Sequence, residues 1–139
     1  MKIKYDINLM KFMSLFESLT RAKLKDCFVD EKSEKLVFVV QEYQIRQALG
    51  KNASNVRRLE DSLKRKIKIV QYSSDLLDFV KNWIHPLKAD NIEENEGIVT
   101  IASDDTKTKG LLIGKGGQNL RAAEDAIKRY FDIKEVKVV

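Results

Sequence analysis

The chain repeats itself. Gly50 and Gly114 stand 64 residues apart, and at that offset Lys51 matches Lys115, Asn55 matches Asn119 and Arg57 matches Arg121. Glu60-Asp61 falls on Glu124-Asp125, and Lys64-Arg65 on Lys128-Arg129. The apolar positions agree as well: Val56 with Leu120, Leu59 with Ala123, Leu63 with Ile127. These lie at i, i+3 and i+7, one buried stripe of a helix. Agreement at core and surface positions together marks a duplicated unit. A unit of about 65 residues is too long for most solenoid repeats, so two copies fill the 139 residues.

Each copy follows the same order of elements. Leu9, Phe12, Met13, Phe16 and Leu19 predict an amphipathic helix from about Ile7 to Lys23. Leu76, Val80, Trp83 and Ile84 predict its counterpart, opened by Ser73-Ser74-Asp75 and closed by Pro86. Two extended segments follow each helix: Cys27 to Asp30 and Lys35 to Gln41 in the first copy, about Leu87 to Ile92 and Ile98 to Ser103 in the second. The polar stretches Asp30 to Glu34 and Asn91 to Gly97 read as the turns between them. A short helix comes next, Tyr43 to Leu49 or Thr106 to Ile113, then a glycine-bearing turn and a longer helix. The final strands are Ile67 to Tyr72 and Ile133 to Val139. The expected fold is α+β, each half a three-stranded sheet with helices on one face. The domains are expected at 1–74 and 75–139.

The second turn reads Ile113-Gly114-Lys115-Gly116-Gly117-Gln118-Asn119-Leu120-Arg121. Glycine removes Cβ atoms where a backbone must be approached closely. The next helix starts there, so its free N–H groups and dipole point at the turn, and Lys115 adds a positive tip. These are the parts of a sugar-phosphate site. A P-loop would need four residues between its first glycine and Gly-Lys, then Ser or Thr. Gly110 to Gly114 spans only three, and Gly116 follows the lysine. The dinucleotide fingerprint fails because Asn119 stands where its last glycine belongs. A helix C-cap and tight turn is the plainer reading of one such string, but its recurrence beside the same Asn and Arg favours RNA binding.

Charge supports the same reading. Residues 1–70 hold 16 basic and 9 acidic side chains, while residues 71–139 hold 10 and 12. Between Gln44 and Val70 lie Arg46, Lys51, Arg57, Arg58, Lys64, Arg65, Lys66 and Lys68 against only Glu60 and Asp61. A local patch of this kind suits nucleic acid.

Helix, Gly-x-x-Gly, helix resembles the signature of KH domains, and a helix and strand placed before that core resemble the type II order. Leu49-Gly50-Lys51-Asn52-Ala53-Ser54-Asn55-Val56-Arg57-Arg58 and the second string above are similar to the paired KH domains of NusA. A chain of two such domains resembles the short archaeal NusA-like proteins. Phe79 to Pro86 is similar to the family's linker helix. The resemblance covers nearly the whole chain. It implies single-stranded RNA binding in transcription elongation, termination or antitermination. The bacterial relatives also carry a polymerase-binding domain and an OB-fold, and this length leaves room for neither. The site expected is Gly50, Lys51, Asn52, Ala53, Asn55, Arg57 and Arg58 in the first copy, and Gly114, Lys115, Gly116, Gly117, Gln118, Asn119 and Arg121 in the second, with local capping the alternative role for Asn55 and Asn119. Ala53 departs from the pattern, because alanine disfavours positive φ.

Other classes find little support. His85 is the only histidine and Cys27 the only cysteine, so no disulfide or thiolate metal site is expected. No catalytic cluster, metal or cofactor is expected. Glu60-Asp61 and Glu124-Asp125 suit i, i+4 pairing with Lys64 and Lys128. The longest uncharged stretch, Gly97 to Ser103, is seven residues, far short of the roughly 20 a membrane helix needs. Lys11 and Glu17 interrupt any signal core. A cytoplasmic, soluble monomer that is not an enzyme is the expectation. Two alternatives stay open: a docking module for RNA polymerase or another transcription protein, and an RNA-binding factor in ribosome assembly or translation.

Overall fold

Asp6 opens the first helix by accepting the Leu9 N–H at 2.7 Å, in a computed structural model that describes residues 6–139. Helix α1 (Ile7–Thr20) stops where Arg21 turns left-handed at φ 62° and its N–H closes on the Glu17 carbonyl. Thr20 locks that end: its hydroxyl donates to the Phe16 carbonyl at 2.8 Å and accepts the Ala22 N–H at 3.1 Å. The helix is therefore shorter than expected, and β1 (Leu24–Asp30) starts earlier than Cys27. Strand β2 (Lys35–Val40), helices α2 (Ile45–Leu49) and α3 (Ser54–Leu63) and strand β3 (Ile67–Gln71) complete the first unit. The second holds α4 (Leu76–Ile84), β4 (Asn91–Asn95), β5 (Ile98–Ala102), α5 (Thr106–Ile113), α6 (Gln118–Lys128) and β6 (Glu135–Val138). The chain divides into two compact units between Tyr72 and Ser73.

The two sheets share one topology. In each, the first strand runs antiparallel to the second and the third runs parallel to it, leaving the third on an edge. The side-chain period of two then assigns faces. Leu36, Phe38 and Val40 of β2 point into one core with Phe16 of α1, Ala48 of α2 and Leu59 of α3, so the helices of the first unit cover one sheet face. Phe16 and Phe38 stack there with centroids 4.4 Å apart. In the second unit the buried side of α6 is Ala122, Ala123, Ala126 and Ile127. Phe79 of α4 and Tyr130 pack in a T-shape with ring centroids 5.2 Å apart.

Strand β4 corrects the sequence expectation. It runs through Asn91–Asn95, inside the stretch read as a turn, and the turn itself is only Glu96 and Gly97. Both take positive φ, 52° and 83°, which suits a two-residue hairpin. The Glu94 carboxylate accepts the Gly97 N–H at 2.7 Å. The strand was hard to read because it is an edge with little apolar contact: only Ile92 is even half-buried. Helix α2 also starts later than expected, at Ile45, after a turn closed by the Gln44 N–H on the Gln41 carbonyl.

Candidate nucleic-acid interface

The duplicated turns take the same backbone path. Gly50 (φ 71°, ψ −178°) and Gly114 (φ 76°, ψ 172°) end the short helices. Lys51 and Lys115 follow, both exposed. Two left-handed residues complete each turn: Asn52 and Ala53, both at φ 55°, and Gly116 and Gly117 at φ 63° and 76°. Ala53 therefore adopts the conformation its side chain disfavours and does not divert the chain. The path is imposed from both sides, because Ala48 of α2 and Leu59 of α3 are anchored in the core.

The first glycine is demanded by contact as well as by φ. A Cβ on Gly50 would stand 2.9 Å from Asn55 Nδ2, and one on Gly114 2.7 Å from Asn119 Cγ. Those asparagines tie the two helices together. Asn55 Nδ2 donates to the Ala48 carbonyl at 3.1 Å and Asn119 Nδ2 to the Leu111 carbonyl at 2.7 Å. Asn55 is buried while Asn119 is exposed. The structure thus gives both amides a positioning task inside the turn. Arg121 folds back so that Nη2 donates to the Gly116 carbonyl. Gly116 itself has open space where a Cβ would go.

Capping separates these helices from α1, α4 and α5, while the short α2, with Gln44 at its cap, also has no side-chain bond there. Asp6, Asp75 and Asp105 cap α1, α4 and α5 with their carboxylates. Helices α3 and α6 have Ala53 and Gly117 at the cap and no side-chain bond there. Their first N–H groups lack a side-chain cap, at the end where the dipole is positive. An aspartate there would repel a phosphate.

The basic patch splits along α3. Lys51, Arg57 and Arg58 are exposed near the turn, with Arg46 on α2, and Arg58 Nη1 donates to Asn55 Oδ1 at 3.5 Å. Lys64, Arg65 and Lys66 lie at the other end of this ten-residue helix, about 15 Å away at 1.5 Å per residue. There they line an open pocket of about 650 Å³ with Val29, Glu31, Ser33 and Glu34. In the second copy Lys115 and Arg121 are exposed at the turn, and Gln118 is half-buried.

The repeated glutamates do something the spacing did not reveal. Glu60 Oε2 accepts the Ile67 N–H at 3.1 Å, and Glu124 Oε2 accepts the Val136 N–H at 2.9 Å. Each long helix is clasped to the edge strand of its own sheet. The expected i, i+4 pair is present between Glu124 and Lys128 at 3.3 Å. Lys64 has left the helix in a left-handed C-cap. Asp105 is a cap: the hydroxyl and then the N–H of Thr108 hold its carboxyl below the usual carboxylate range. Cys27 is buried. Among the described residues no cluster of three His, Cys, Asp or Glu side chains could hold a metal, and no helix is long and apolar enough to cross a membrane.

A family model described as a KH domain matches residues 13–85. The chain is 33% identical to the probable transcription termination protein NusA of Methanococcus vannielii, over 100% of this chain and 81% of that protein. It is 27% identical to the protein of the same name from Thermoplasma acidophilum, over 99% and 96%. The crystal structure of APE1850 superposes with a TM-score of 0.76 at 31% identity, covering 97% of this chain and 100% of that one. With its duplicated helix–glycine turn–helix, the chain belongs to the archaeal NusA-like family of KH-domain proteins.

Proposed function

We propose that this protein binds single-stranded RNA during transcription, in termination or antitermination, with one sugar-phosphate contact at each glycine turn. The observation that carries the reading is the pair of long helices without side-chain caps. Each begins at a left-handed turn with an exposed lysine at its tip, while α1, α4 and α5 are capped by aspartate. Backbone N–H groups at a helix start, a positive dipole end and a lysine fit a phosphate. We assign the type II order to both units, since a helix and a strand precede each core. Gly50, Lys51, Asn52, Ala53, Arg57 and Arg58 form the first contact, and Gly114, Lys115, Gly116, Gly117, Gln118 and Arg121 the second. Asn55 and Asn119 hold the turns in shape. The cytoplasmic monomer of the sequence reading fits this role, and no catalysis is assigned to it.

Replacing Lys115 and Gly116 together by aspartate tests the reading. The fold has room for it: a Cβ at Gly116 meets nothing, and the matching position in the first copy is Asn52, also left-handed. The variant keeps its circular dichroism and loses most single-stranded RNA binding. Undiminished affinity rejects the assignment. Wild-type affinity also falls as salt rises, because neutralised phosphates release counterions. A pull-down with and without nuclease addresses docking: a transcription protein retained after digestion favours a protein partner.

A further inference from the structure

The turn before α2 contains a residue that its own geometry argues against. Gln41 to Gln44 form a four-residue turn closed by the Gln44 N–H on the Gln41 carbonyl at 3.2 Å. Its third position is Tyr43, left-handed at φ 67° and 89% exposed. That position suits glycine or asparagine, and a bulky residue at positive φ is an outlier. The other copy makes the same junction without strain: α5 starts directly from the Asp105 cap at φ −86°. Packing does not account for the tyrosine, since almost all of its surface faces solvent. Arg21, Glu34 and Lys64 hold positive φ too, so what sets Tyr43 apart is a large aromatic ring kept exposed at such a position with no packing to retain it.

Hydrogen bonds fix what stands beside this turn. The Gln41 N–H donates to the Lys23 carbonyl at 2.9 Å, and the Lys23 N–H to Gln44 Oε1 at 3.1 Å. These bonds hold the α1–β1 corner, with exposed Arg21 and Lys23, against the turn. Exposed Arg46 follows on α2, and Glu42 is the acid within the turn. Between this turn and Gly50 lie the five residues of α2, about 8 Å at 1.5 Å per residue. An exposed aromatic face set among cations near a phosphate site is how proteins hold unstacked bases.

We infer that Tyr43 is a stacking platform for a nucleobase of single-stranded RNA, extending the first site beyond its glycine turn along α2. The inference rests on the RNA reading above, and the experiment separates the two. Short fluorescein-labelled oligoadenylate and oligouridylate are titrated with wild type, Tyr43→Phe, Tyr43→Ala and Tyr43→Gly, read by anisotropy at several salt concentrations. Tyr43→Phe binds as wild type does. Tyr43→Ala weakens oligoadenylate binding about ten-fold, within the range for losing one base–aromatic stack. The loss is smaller on oligouridylate, and the slope of affinity against salt is unchanged because no phosphate contact is removed. Tyr43→Gly weakens RNA binding equally while its Tm stays level or rises, a pairing that a merely structural tyrosine does not produce. Equal affinity of wild type and Tyr43→Ala overturns the inference alone. So does a lower Tm in Tyr43→Gly. A wild-type chain that binds neither oligonucleotide overturns the RNA reading and this inference with it.

Discussion

Ala53 holds φ 55° where its counterpart is Gly117 at φ 76°. A left-handed alanine costs about 1–2 kcal/mol, and glycine gives back part of that through the entropy of the unfolded chain. Ala53→Gly therefore stabilises the protein by about 0.5–1 kcal/mol. Its urea midpoint rises with an unchanged slope; a lower midpoint refutes the assignment of strain. Among the glycines of the second turn the expected ranking is clear. Gly114→Ala meets Asn119 Cγ at 2.7 Å and Gly116→Ala meets nothing, although both positions have positive φ. The first costs about 1–3 kcal/mol more, because overpacking adds to strain; equal losses by chemical denaturation contradict it. The glycines and lysines of the turns were legible in the sequence, because the duplication made them visible. The inward direction of Asn55 and Asn119 was not. Their spacing puts them in the first turn of a helix and says nothing of whether the amide faces the Ala48 and Leu111 carbonyls or solvent.

At the scale of elements, ends and edges decide more than helix interiors do. Asp75 caps α4 by accepting the Leu77 N–H at 3.1 Å, so Asp75→Ala costs about 1 kcal/mol of stability, measured by urea unfolding. Glu124 serves both Lys128 and the Val136 N–H, and two substitutions separate these roles. Glu124→Gln keeps an acceptor for the strand and loses only an exposed ion pair, a change of about 0.5 kcal/mol. Glu124→Ala leaves the Val136 N–H unpaired and costs about 1–3 kcal/mol. Equal losses for the two variants show that the clasp contributes nothing. Helices were readable from their apolar spacing, and Leu76–Ile84 was recovered from its Asp and Pro flanks. Strand β4 was not, since Asn91–Asn95 is held by backbone pairing with β5 and its composition is that of a loop. The clasps escaped because nothing in an i, i+4 pattern distinguishes a carboxylate that bonds a neighbouring strand from one that pairs along its own helix.

For the whole molecule, pH reports on one half-buried cation, Lys68. Burial first, then Lys35, lower the Lys68 pKa from 10.5 to about 8, with Asp30 acting in the other direction. Between those values the unfolded chain holds a proton that the folded chain has released, so raising the pH through this window favours the fold. The contribution is complete above pH 10.5 and is lost as the pH falls through 8. Relative to Lys68→Met, wild type gains on the order of 2–3 kcal/mol between these limits. Unfolding free energies of both proteins at the two ends of the window check it, and a constant difference refutes it. The buried middle strand has a consequence of another kind. Leu36 to Val40 are wholly inaccessible in the folded chain, and such an apolar, β-prone run is a hazard wherever it is exposed. Its parallel neighbour, β3, is not synthesised until Ile67–Gln71. During translation the run therefore emerges well before the strand that flanks it, guarded by Glu34 and Lys35 on one side and Glu42 on the other. The first unit closes only as its last strand leaves the ribosome, so synthesis itself sets the order in which the two copies fold.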